Sequence, residues 1–490
     1  MSKQGTPGPR QLRIAVVGAG MSGILCGKRL PEAGYEEVVI YEKASRLGGT
    51  WRDNHYPGLE CDVPSHVYSY SFAPNPHWSH LFSPGPEIAC YLETVAERYR
   101  VTPRIRFDSE VTACAWGDGR WRLEIGNAET DWADVVIFAT GVLHHPSIPA
   151  FEGLETFRGR AFHSARWDDT VTVSGKRLGI VGTGSTAVQI VSAVVDEVAS
   201  LSLFQRTAQW VFPQPNPAYS ADDQLRFEDD PELLDHIRHR MRQSFNENFS
   251  NAVVDADSER MQEIEAICRR NLQENVRDPK LRRKLTPDYR AACKRLIMSG
   301  SFYDAIQRPH AHLVTEPIDH IEPRGIRTAD GVLHPLDVLV LATGFDPRAF
   351  MRPTRIVGRG GVPLETLWRD SVFAYRSVSL PGFPNLFMII GPQSPVGNFS
   401  LIDIAERQLE YVLALLQRLR SGECRELSAR AGAARRYTEA LEGAMKDTIW
   451  VTGCRSWYLD DRGIPGTWPF TLDRFEREMR QPDPADFEAA

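Results

Sequence analysis

Residues 14–23 read IAVVGAGMSG, an apolar run that enters a glycine-rich turn with the spacing G-x-G-x-x-G. This pattern predicts a buried β-strand, followed by a tight turn at Gly18, Gly20 and Gly23 into a helix whose N-terminus binds a pyrophosphate. The next apolar run, VVIY at 38–41, ends on Glu42, about 20 residues beyond the turn. A carboxylate at that point accepts hydrogen bonds from a ribose 2′-OH, so the first loop predicts FAD binding.

A second loop of the same kind is found at residues 178–187, which read LGIVGTGSTA. It contains Gly182 and Gly184, and Ala187 replaces the third glycine, as the motif allows. The following apolar run, LSLF at 201–204, ends on Gln205-Arg206-Thr207 instead of a carboxylate. A guanidinium suits a ribose 2′-phosphate because it can form two parallel charge-assisted hydrogen bonds. The second loop therefore predicts NADPH binding.

The composition is that of a globular chain of 490 residues, with 42% hydrophobic and 25% charged residues and a formal charge of −7. Nothing in this balance suggests a nucleic-acid or anionic-membrane partner, and no apolar run is long enough to span a membrane. The eight cysteines are scattered without a C-x-x-C pair. We therefore expect free thiols, no disulfide, no metal site and a cytoplasmic location. The oligomeric state is not predicted.

The order of motifs predicts an α/β fold with two Rossmann-like dinucleotide-binding domains, one for FAD and one for NADPH, and a helical insertion in the second. Two further strand patterns end in ATG, at 134–141 and 337–344, and each completes one unit. Apolar residues recur at helical spacing through the charged stretch between the units. The predicted segments are 1–149 (FAD domain), 150–213 (NADP domain), 214–290 (insertion), 291–344 (NADP domain) and 345–490 (FAD domain and substrate-pocket segment).

Two longer patterns point to a family. Residues 48–62, GGTWRDNHYPGLECD, fit [AG]-G-x-W-x4-[FY]-P-[GM]-x3-D, and residues 157–168, FRGRAFHSARWD, fit F-x-G-x3-H-x3-W-[PD]. These resemble the fingerprints of the Baeyer–Villiger monooxygenases, the class B flavoprotein monooxygenases. The stretch CKR at 293–295 resembles the family segment that carries an active-site arginine.

The resemblance implies a reaction. NADPH reduces the flavin, O2 adds to it as a C4a-peroxide, and the anionic peroxide inserts one oxygen atom beside a ketone carbonyl to give an ester or lactone. Arg295 is the expected catalytic residue that stabilises this anion, because a guanidinium keeps its proton at working pH. Asp62 matches the carboxylate that orients this arginine and assists hydride transfer. By the same match, Lys294 joins Arg206 and Thr207 around the 2′-phosphate.

Further cofactor contacts are predicted at the glycine turns, the first fingerprint and the second ATG strand end. These are Ser22, Lys43, Gly49, Thr50, Trp51, Tyr56, Thr183, Ser185, Thr186, Thr343 and Gly344. Trp51 and Tyr56 are expected to pack beside the flavin. Lys43 could neutralise a cofactor phosphate, but a solvated lysine at a strand end is the favoured interpretation.

The second fingerprint is predicted to be structural at Phe157, Gly159, His163, Trp167 and Asp168. His163 could act as an acid or base. We instead expect it to hydrogen-bond within a linker just before the second unit and to couple the domains, because geometry must precede an acid–base assignment.

Three alternative functions stay open on the sequence. A flavin-containing N- or S-oxygenase would use the same cofactors and transfer oxygen from the protonated hydroperoxyflavin. A pyridine-nucleotide reductase without oxygenation would need an electron acceptor, and the absence of a dithiol pair argues against it. A catalytically silent nucleotide sensor is the third. The Trp468-Pro469 ending departs from the usual family pattern, so the substrate is left open.

Overall fold

The computed structural model describes residues 10–126, 129–456 and 458–490. The N-terminal tail and Trp457 lie outside the described residues. The strands are β1 Ile14–Val17, β2 Val38–Tyr41, β3 Ile105–Arg106, β4 Val111–Gly117, β5 Arg120–Ile125, β6 Glu129–Ala133, β7 Val135–Phe138, β8 Arg160–His163, β9 Arg177–Val181, β10 Ser200–Phe204, β11 Val211–Phe212, β12 Ile297–Met298, β13 Ala311–Val314, β14 Ile318–Glu322, β15 Gly325–Thr328, β16 Leu333–Pro335, β17 Val338–Leu341, β18 Arg355–Val357, β19 Leu386–Met388, β20 Leu427–Ala429 and β21 Phe487–Ala489.

The α-helices lie between these strands, and the longest is near the C-terminal end of the chain. They are α1 Met21–Glu32, α2 Thr50–Asp53, α3 Gly85–Arg98, α4 Ser185–Val194, α5 Ala221–Asp229, α6 Pro231–Phe245, α7 Glu259–Asn275, α8 Pro279–Leu285, α9 Phe302–Ala305, α10 Leu364–Leu367, α11 Leu401–Arg420, α12 Ala431–Ala444 and α13 Leu472–Glu478.

The first loop belongs to a parallel sheet with the strand order β19-β7-β1-β2-β3. Every residue of β1 and β7 is buried, as expected for parallel strands covered on both faces. β1 pairs with β2 on one side and with β7 on the other. The connections therefore diverge at the carboxyl end of β1, which is where open parallel sheets bind ligands.

The second loop belongs to another parallel sheet, with the order β13-β10-β9-β17-β8. β9 takes the central place that β1 has in the first sheet, since it pairs with both β10 and β17. Strand β19, far along the chain, returns to the first sheet beside β7. The predicted fold class, two Rossmann-like units in one α/β chain, is confirmed.

The charged stretch between the two parts of the second unit is helical, as predicted, and holds α5 to α8. The hydroxyl of Ser220 and the carboxylates of Asp230 and Asp278 cap three of these helices by accepting hydrogen bonds from first-turn amides. α6 also reaches the first unit, because Arg242 Nε donates to Asp403 Oδ2 of α11 at 2.7 Å. In the part of the chain that the structure describes, no helix is both long enough and apolar enough to cross a bilayer.

The expectation of free thiols is wrong for one pair of cysteines. Cys293 and Cys454 form a disulfide, with their Cα atoms 6.1 Å apart. The two residues are separated by 161 positions in sequence. They meet only because the fold brings the segment before Lys294 beside the C-terminal segment, so scattered spacing could not predict the bond. The other six cysteines are free thiols.

Candidate functional site

Both glycine turns open onto one cleft of about 600 Å³. The first turn lies at the carboxyl end of β1 and the second at the carboxyl end of β9, the position at which parallel sheets bind nucleotides. The turns contribute Gly18, Gly20, Ser22, Gly184, Ser185 and Thr186 to its wall. The two predicted nucleotide sites therefore share a single cavity.

The first glycine turn fits a pyrophosphate because its backbone carries no side chain where the ligand and neighbouring strands approach. Gly18 has a φ of +103°, and a Cβ there would lie 2.8 Å from the carbonyl oxygen of Ala139. A Cβ at Gly23 would lie 1.9 Å from the carbonyl oxygen of Gly18. The N-cap of α1 is Gly20, which makes no side-chain cap. The amides of the first turn of α1 can therefore bind an anion.

Glu42 lies at the end of β2, buried in the wall of the cleft. Its Oε2 accepts a hydrogen bond from the amide of Ala19 at 2.8 Å, and its Oε1 accepts from Arg52 Nη1 at 3.0 Å. These bonds fix the carboxylate against the glycine turn, where the ribose contact was predicted. Lys43 also lines the cleft.

The second glycine turn repeats this construction. Gly182 has a φ of +118°, and a Cβ there would lie 2.3 Å from the carbonyl oxygen of Ala342. Gly184 is the N-cap of α4 and makes no side-chain hydrogen bond. Thr183 Oγ1 donates to the carbonyl oxygen of Thr207 at 2.8 Å. The turn is therefore tied to the segment that carries Arg206.

Two cations lie beside the second turn. Arg206 is exposed, and Lys294 lies over the ring of Tyr289 at 4.8 Å and lines the cleft. Burial, followed by the nearby charge of Arg206, lowers the pKa of Lys294. Within the described residues, neither cation has a carboxylate at ion-pair distance. Such a pair suits a doubly charged phosphate group, which would relieve the repulsion between the two cations.

Arg295 is held by three groups from distant parts of the chain. Its Nη2 donates to Asp62 Oδ2, its Nη1 donates to the carbonyl oxygen of Gly397 at 3.0 Å, and Tyr458 hydrogen-bonds to the same guanidinium. Burial opposes the charge, but the Asp62 carboxylate and the hydrogen bonds outweigh burial and raise the pKa of Arg295 above its ordinary value. The result is a fixed positive charge in the wall of the cleft.

The first fingerprint lies between the two units. Gly49 has a φ of +54°, and a Cβ there would lie 3.0 Å from the Cα of Gly20, so Gly49 and Thr50 line the cleft beside the first turn. Trp51 Nε1 donates to the hydroxyl of Tyr68 at 3.0 Å. The first fingerprint thus forms part of the wall of the cleft and also provides Asp62.

Tyr56, predicted to pack beside the flavin, lines the cleft and also contacts the second unit. Its hydroxyl donates to Gln189 Oε1 of α4 at 3.0 Å. Burial raises the pKa of Tyr56 to about 12. The side chain therefore stays neutral and serves as a hydrogen-bonding contact between the fingerprint and α4.

Seventeen of the predicted cofactor and catalytic residues line the cleft, Thr343 and Gly344 among them, and five do not line it. Those five are Gly23, Gly182, Thr183, Arg206 and Thr207. The two glycines act through the close backbone contacts already described. Thr183 and Thr207 join the second turn to the segment that carries the exposed guanidinium.

The second fingerprint forms the edge of the second sheet. The stretch around His163 was expected to be a linker, but β8 pairs in parallel with β17. His163 Nδ1 accepts from the amide of Ala165 at 3.1 Å, and its ring lies 6.0 Å from that of Phe345. Burial lowers the pKa of His163, so the imidazole is neutral. These contacts hold the ring of His163 at the sheet edge, and its role in coupling the domains stays a prediction.

The other residues of the second fingerprint pack on the same edge of the second sheet. The ring of Trp167 lies 5.1 Å from that of Phe162, and Asp168 forms an ion pair with Arg160. A Cβ at Gly159 would lie 2.3 Å from the carbonyl oxygen of Asp337 and 2.6 Å from the ring of Phe157. These residues make structural contacts and do not line the cleft.

Two contributors to the arginine cluster, Gly397 and Tyr458, were not predicted. Gly397 precedes α11 in a stretch without a recognised motif, and Tyr458 lies within the Trp- and Pro-rich C-terminal ending, which was predicted only as a whole to border a substrate pocket. Arg455 and Ser456 of that ending do line the cleft. The signal in the sequence was therefore the composition of the segment and not any one residue.

Comparison with protein families and curated relatives gives one consistent result. A family model described as flavin-binding monooxygenase-like matches residues 11–225. An uncharacterised monooxygenase of Mycobacterium tuberculosis is 48% identical, covering 97% of this chain and 95% of the relative. A Baeyer–Villiger monooxygenase of Streptomyces coelicolor is 39% identical, covering 97% of this chain and 92% of the relative.

Solved structures agree over nearly the whole chain. The structure of OTEMO in complex with FAD and NADP matches with a TM-score of 0.87 and 26% identity, covering 99% of this chain and 100% of that one. The structure of cyclohexanone monooxygenase bound to cyclohexanone matches with a TM-score of 0.84 and 27% identity, covering 97% of this chain and 99% of that one.

Proposed function

Because the chain belongs to the Baeyer–Villiger monooxygenases among the flavin-binding monooxygenases, we propose that it converts a ketone into an ester or lactone with NADPH and O2. The chain is an FAD- and NADP-dependent enzyme. Bound flavin supplies the redox chemistry, since in its reduced form it activates dioxygen. The remaining tasks fall to the chain, which must hold both nucleotides, orient the substrate and stabilise negative charge.

The observation that carries this proposal is the set of contacts that Asp62, Gly397 and Tyr458 make with Arg295. Insertion of oxygen beside a carbonyl needs negative charge on the attacking oxygen, whereas transfer to a sulfide or amine needs that oxygen protonated. A guanidinium held by Asp62, Gly397 and Tyr458 stays charged in the cleft and cannot serve as a proton donor. Its fixed charge therefore favours ketone oxidation.

The two nucleotides have separate assigned contacts. We assign the amides at the start of α1 and the carboxylate of Glu42 to FAD. The start of α4, Arg206, Thr207 and Lys294 are assigned to NADPH. With both nucleotides in one cleft, the bound coenzyme also excludes water from the reacting groups.

Product analysis tests the proposal. The purified holoenzyme is given NADPH, O2 and either a cyclic ketone, an aryl ketone or a thioether, and the products are identified by mass spectrometry. We expect lactones or esters from ketones at rates well above sulfoxide formation. Sulfoxide as the sole oxygenated product across the panel would favour the N- or S-oxygenase. NADPH oxidation with peroxide as its only product would favour a reductase.

Replacing Gly23 by alanine is expected to remove the flavin. The new Cβ would meet the carbonyl oxygen of Gly18 at 1.9 Å, so the backbone of the turn must move, at a cost of about 1–3 kcal/mol. The visible flavin absorbance of the purified variant should fall severalfold or vanish, while its far-ultraviolet circular dichroism is retained.

The control for this variant is Gly443→Ala, where a Cβ meets no atom within 4 Å. That variant should keep its full flavin content. A Gly23→Ala protein that carries as much flavin as wild type would contradict the assignment of the first turn.

A further inference from the structure

The disulfide between Cys293 and Cys454 joins two segments that both end at the candidate active site. Cys293 is fully buried and is followed directly by Lys294 and Arg295, which line the cleft. Cys454 is followed by Arg455 and Ser456, which line the same cleft. In each segment, the bonded cysteine therefore directly precedes a residue that lines the cleft.

Beyond the disulfide the two segments keep contact. Tyr458 hydrogen-bonds to the Arg295 guanidinium. It also lies close to Gly397, because a Cβ on Gly397 would be 2.1 Å from the Tyr458 hydroxyl oxygen. The two segments are thus joined by the Cys293–Cys454 disulfide and, further along, by the hydrogen bond between Arg295 and Tyr458. A shift of either segment would move the guanidinium, its hydroxyl partner or both.

Several hydrogen bonds of the C-terminal segment are made within the segment itself. The amide of Leu459 donates to the carbonyl of Ser456 at 3.1 Å, and that of Asp460 donates to the carbonyl of Ile464 at 2.8 Å. The second unit is contacted by Ile449, Trp450 and Tyr458, which are buried in the same apolar cluster as Cys293 and Cys454. The disulfide adds a covalent attachment to these contacts, with the Cα atoms 6.1 Å apart across 161 positions of sequence.

We propose that Cys293 and Cys454 are positioning residues, whose disulfide holds Arg455 and Ser456 at the NADP(H) end of the cleft and Tyr458 against Arg295. This inference rests on the proposed function. The bond can be cleaved by a dithiol reductant. Its thiolate attacks Cys454 Sγ, the sulfur of the cysteine that keeps 8% exposure, and Cys293 leaves as a thiolate that takes up a proton.

The exchange balances in electrons and protons. The second thiol of the reductant resolves the mixed disulfide on Cys454, which leaves two protein thiols and one cyclic disulfide on the reductant. Two electrons and two protons pass to the protein. Once the disulfide is cleaved, Arg455 and Ser456 are held less firmly at the cleft, and the cost of ordering them on NADP+ binding weakens that binding.

The test measures NADP+ binding to the FAD-loaded protein by calorimetry, before and after treatment with a dithiol. Peptide mapping by mass spectrometry measures the fraction of protein in each sample that contains the Cys293–Cys454 disulfide. We expect reduction to raise the NADP+ dissociation constant about tenfold and to speed tryptic cleavage after Arg455, with unchanged flavin content. The Cys293→Ala/Cys454→Ala protein should match the reduced wild type and not respond to the dithiol.

The matched control is Cys90→Ser, which removes an exposed free thiol. It should bind NADP+ and respond to the dithiol as wild type does. Two results would overturn the inference: finding both cysteines as thiols in aerobically purified protein, or equal NADP+ affinity before and after complete reduction. Neither result depends on the substrate, so failure of ketone oxidation in both redox states would count against the proposed function alone.

Discussion

Replacing Arg295 by alanine is expected to abolish ester formation while NADPH still reduces the flavin. The guanidinium is the fixed positive charge in the wall of the cleft. In the proposed reaction it stabilises negative charge on oxygen as that oxygen attacks the carbonyl. Loss of one such stabilising group costs about 100- to 1000-fold in turnover. Ester yield, NADPH consumption and hydrogen peroxide release, measured together under steady-state conditions, check this prediction.

A matched control is Arg308→Ala, which removes an exposed arginine of the second unit that pairs with Asp196 at 2.8 Å. It should oxidise ketones as wild type does. Asp62→Asn should keep the arginine but loosen its orientation, with a loss intermediate between those of the control and Arg295→Ala. Ester formation by Arg295→Ala within a few-fold of wild type would refute the catalytic assignment.

Replacing Arg206 by alanine is expected to remove the preference for NADPH over NADH. Arg206 and Lys294 lie together without ion-pair partners in the described residues, and only NADPH carries the 2′-phosphate they would bind. A charge-assisted bond contributes roughly 1.5–3 kcal/mol, so kcat/KM for NADPH should fall about 10- to 100-fold. The value for NADH should change little, as initial rates with each coenzyme will measure.

The same Arg308→Ala protein serves as the control, because it removes a cation from the same unit at a distance from the second turn. Its coenzyme preference should be that of wild type. If Arg206→Ala keeps the wild-type ratio of NADPH to NADH efficiency, the second loop does not read the 2′-phosphate through this residue.

The features of the fold that depend on local sequence were predictable. A strand, a glycine turn and a charged strand end lie within about 30 residues of one another, so the turns at Gly18 and Gly182 could be placed directly. Their geometry follows from backbone conformation, since φ at both positions is near +110° and a side chain would meet the neighbouring strand. The helical insertion was predictable for the same reason, from the period of its apolar residues.

The parts that depend on distant contacts were not predictable from spacing. Asp62 and Arg295 are 233 positions apart and were paired only through the family resemblance. Tyr458 and Gly397 reach the same guanidinium from two further segments, and no pattern marked either of them. The disulfide was missed for the same reason, since cysteine spacing in a chain of this length does not record which segments the fold brings together.

The division into domains stays a proposal, and the sheets support it. Strands β1 to β7, β18 and β19 build the first sheet and its neighbouring small sheet, whereas β8 to β17 build the second sheet and the strands beside it. We propose boundaries at 149, 213, 290 and 344, with the FAD domain formed by 1–149 and 345–490. The chain then leaves the first domain once and returns once.

The most direct test of the central claim is a crystal structure of the protein with FAD and NADP+ bound, in which the distance from the Arg295 guanidinium to the isoalloxazine ring is measured. We expect hydrogen-bonding or direct van der Waals distance, about 3–4 Å, between a guanidinium nitrogen and the ring or the coenzyme that covers it. A guanidinium separated from both by more than about 8 Å, roughly two contact distances, with Asp62 still its partner, would contradict it.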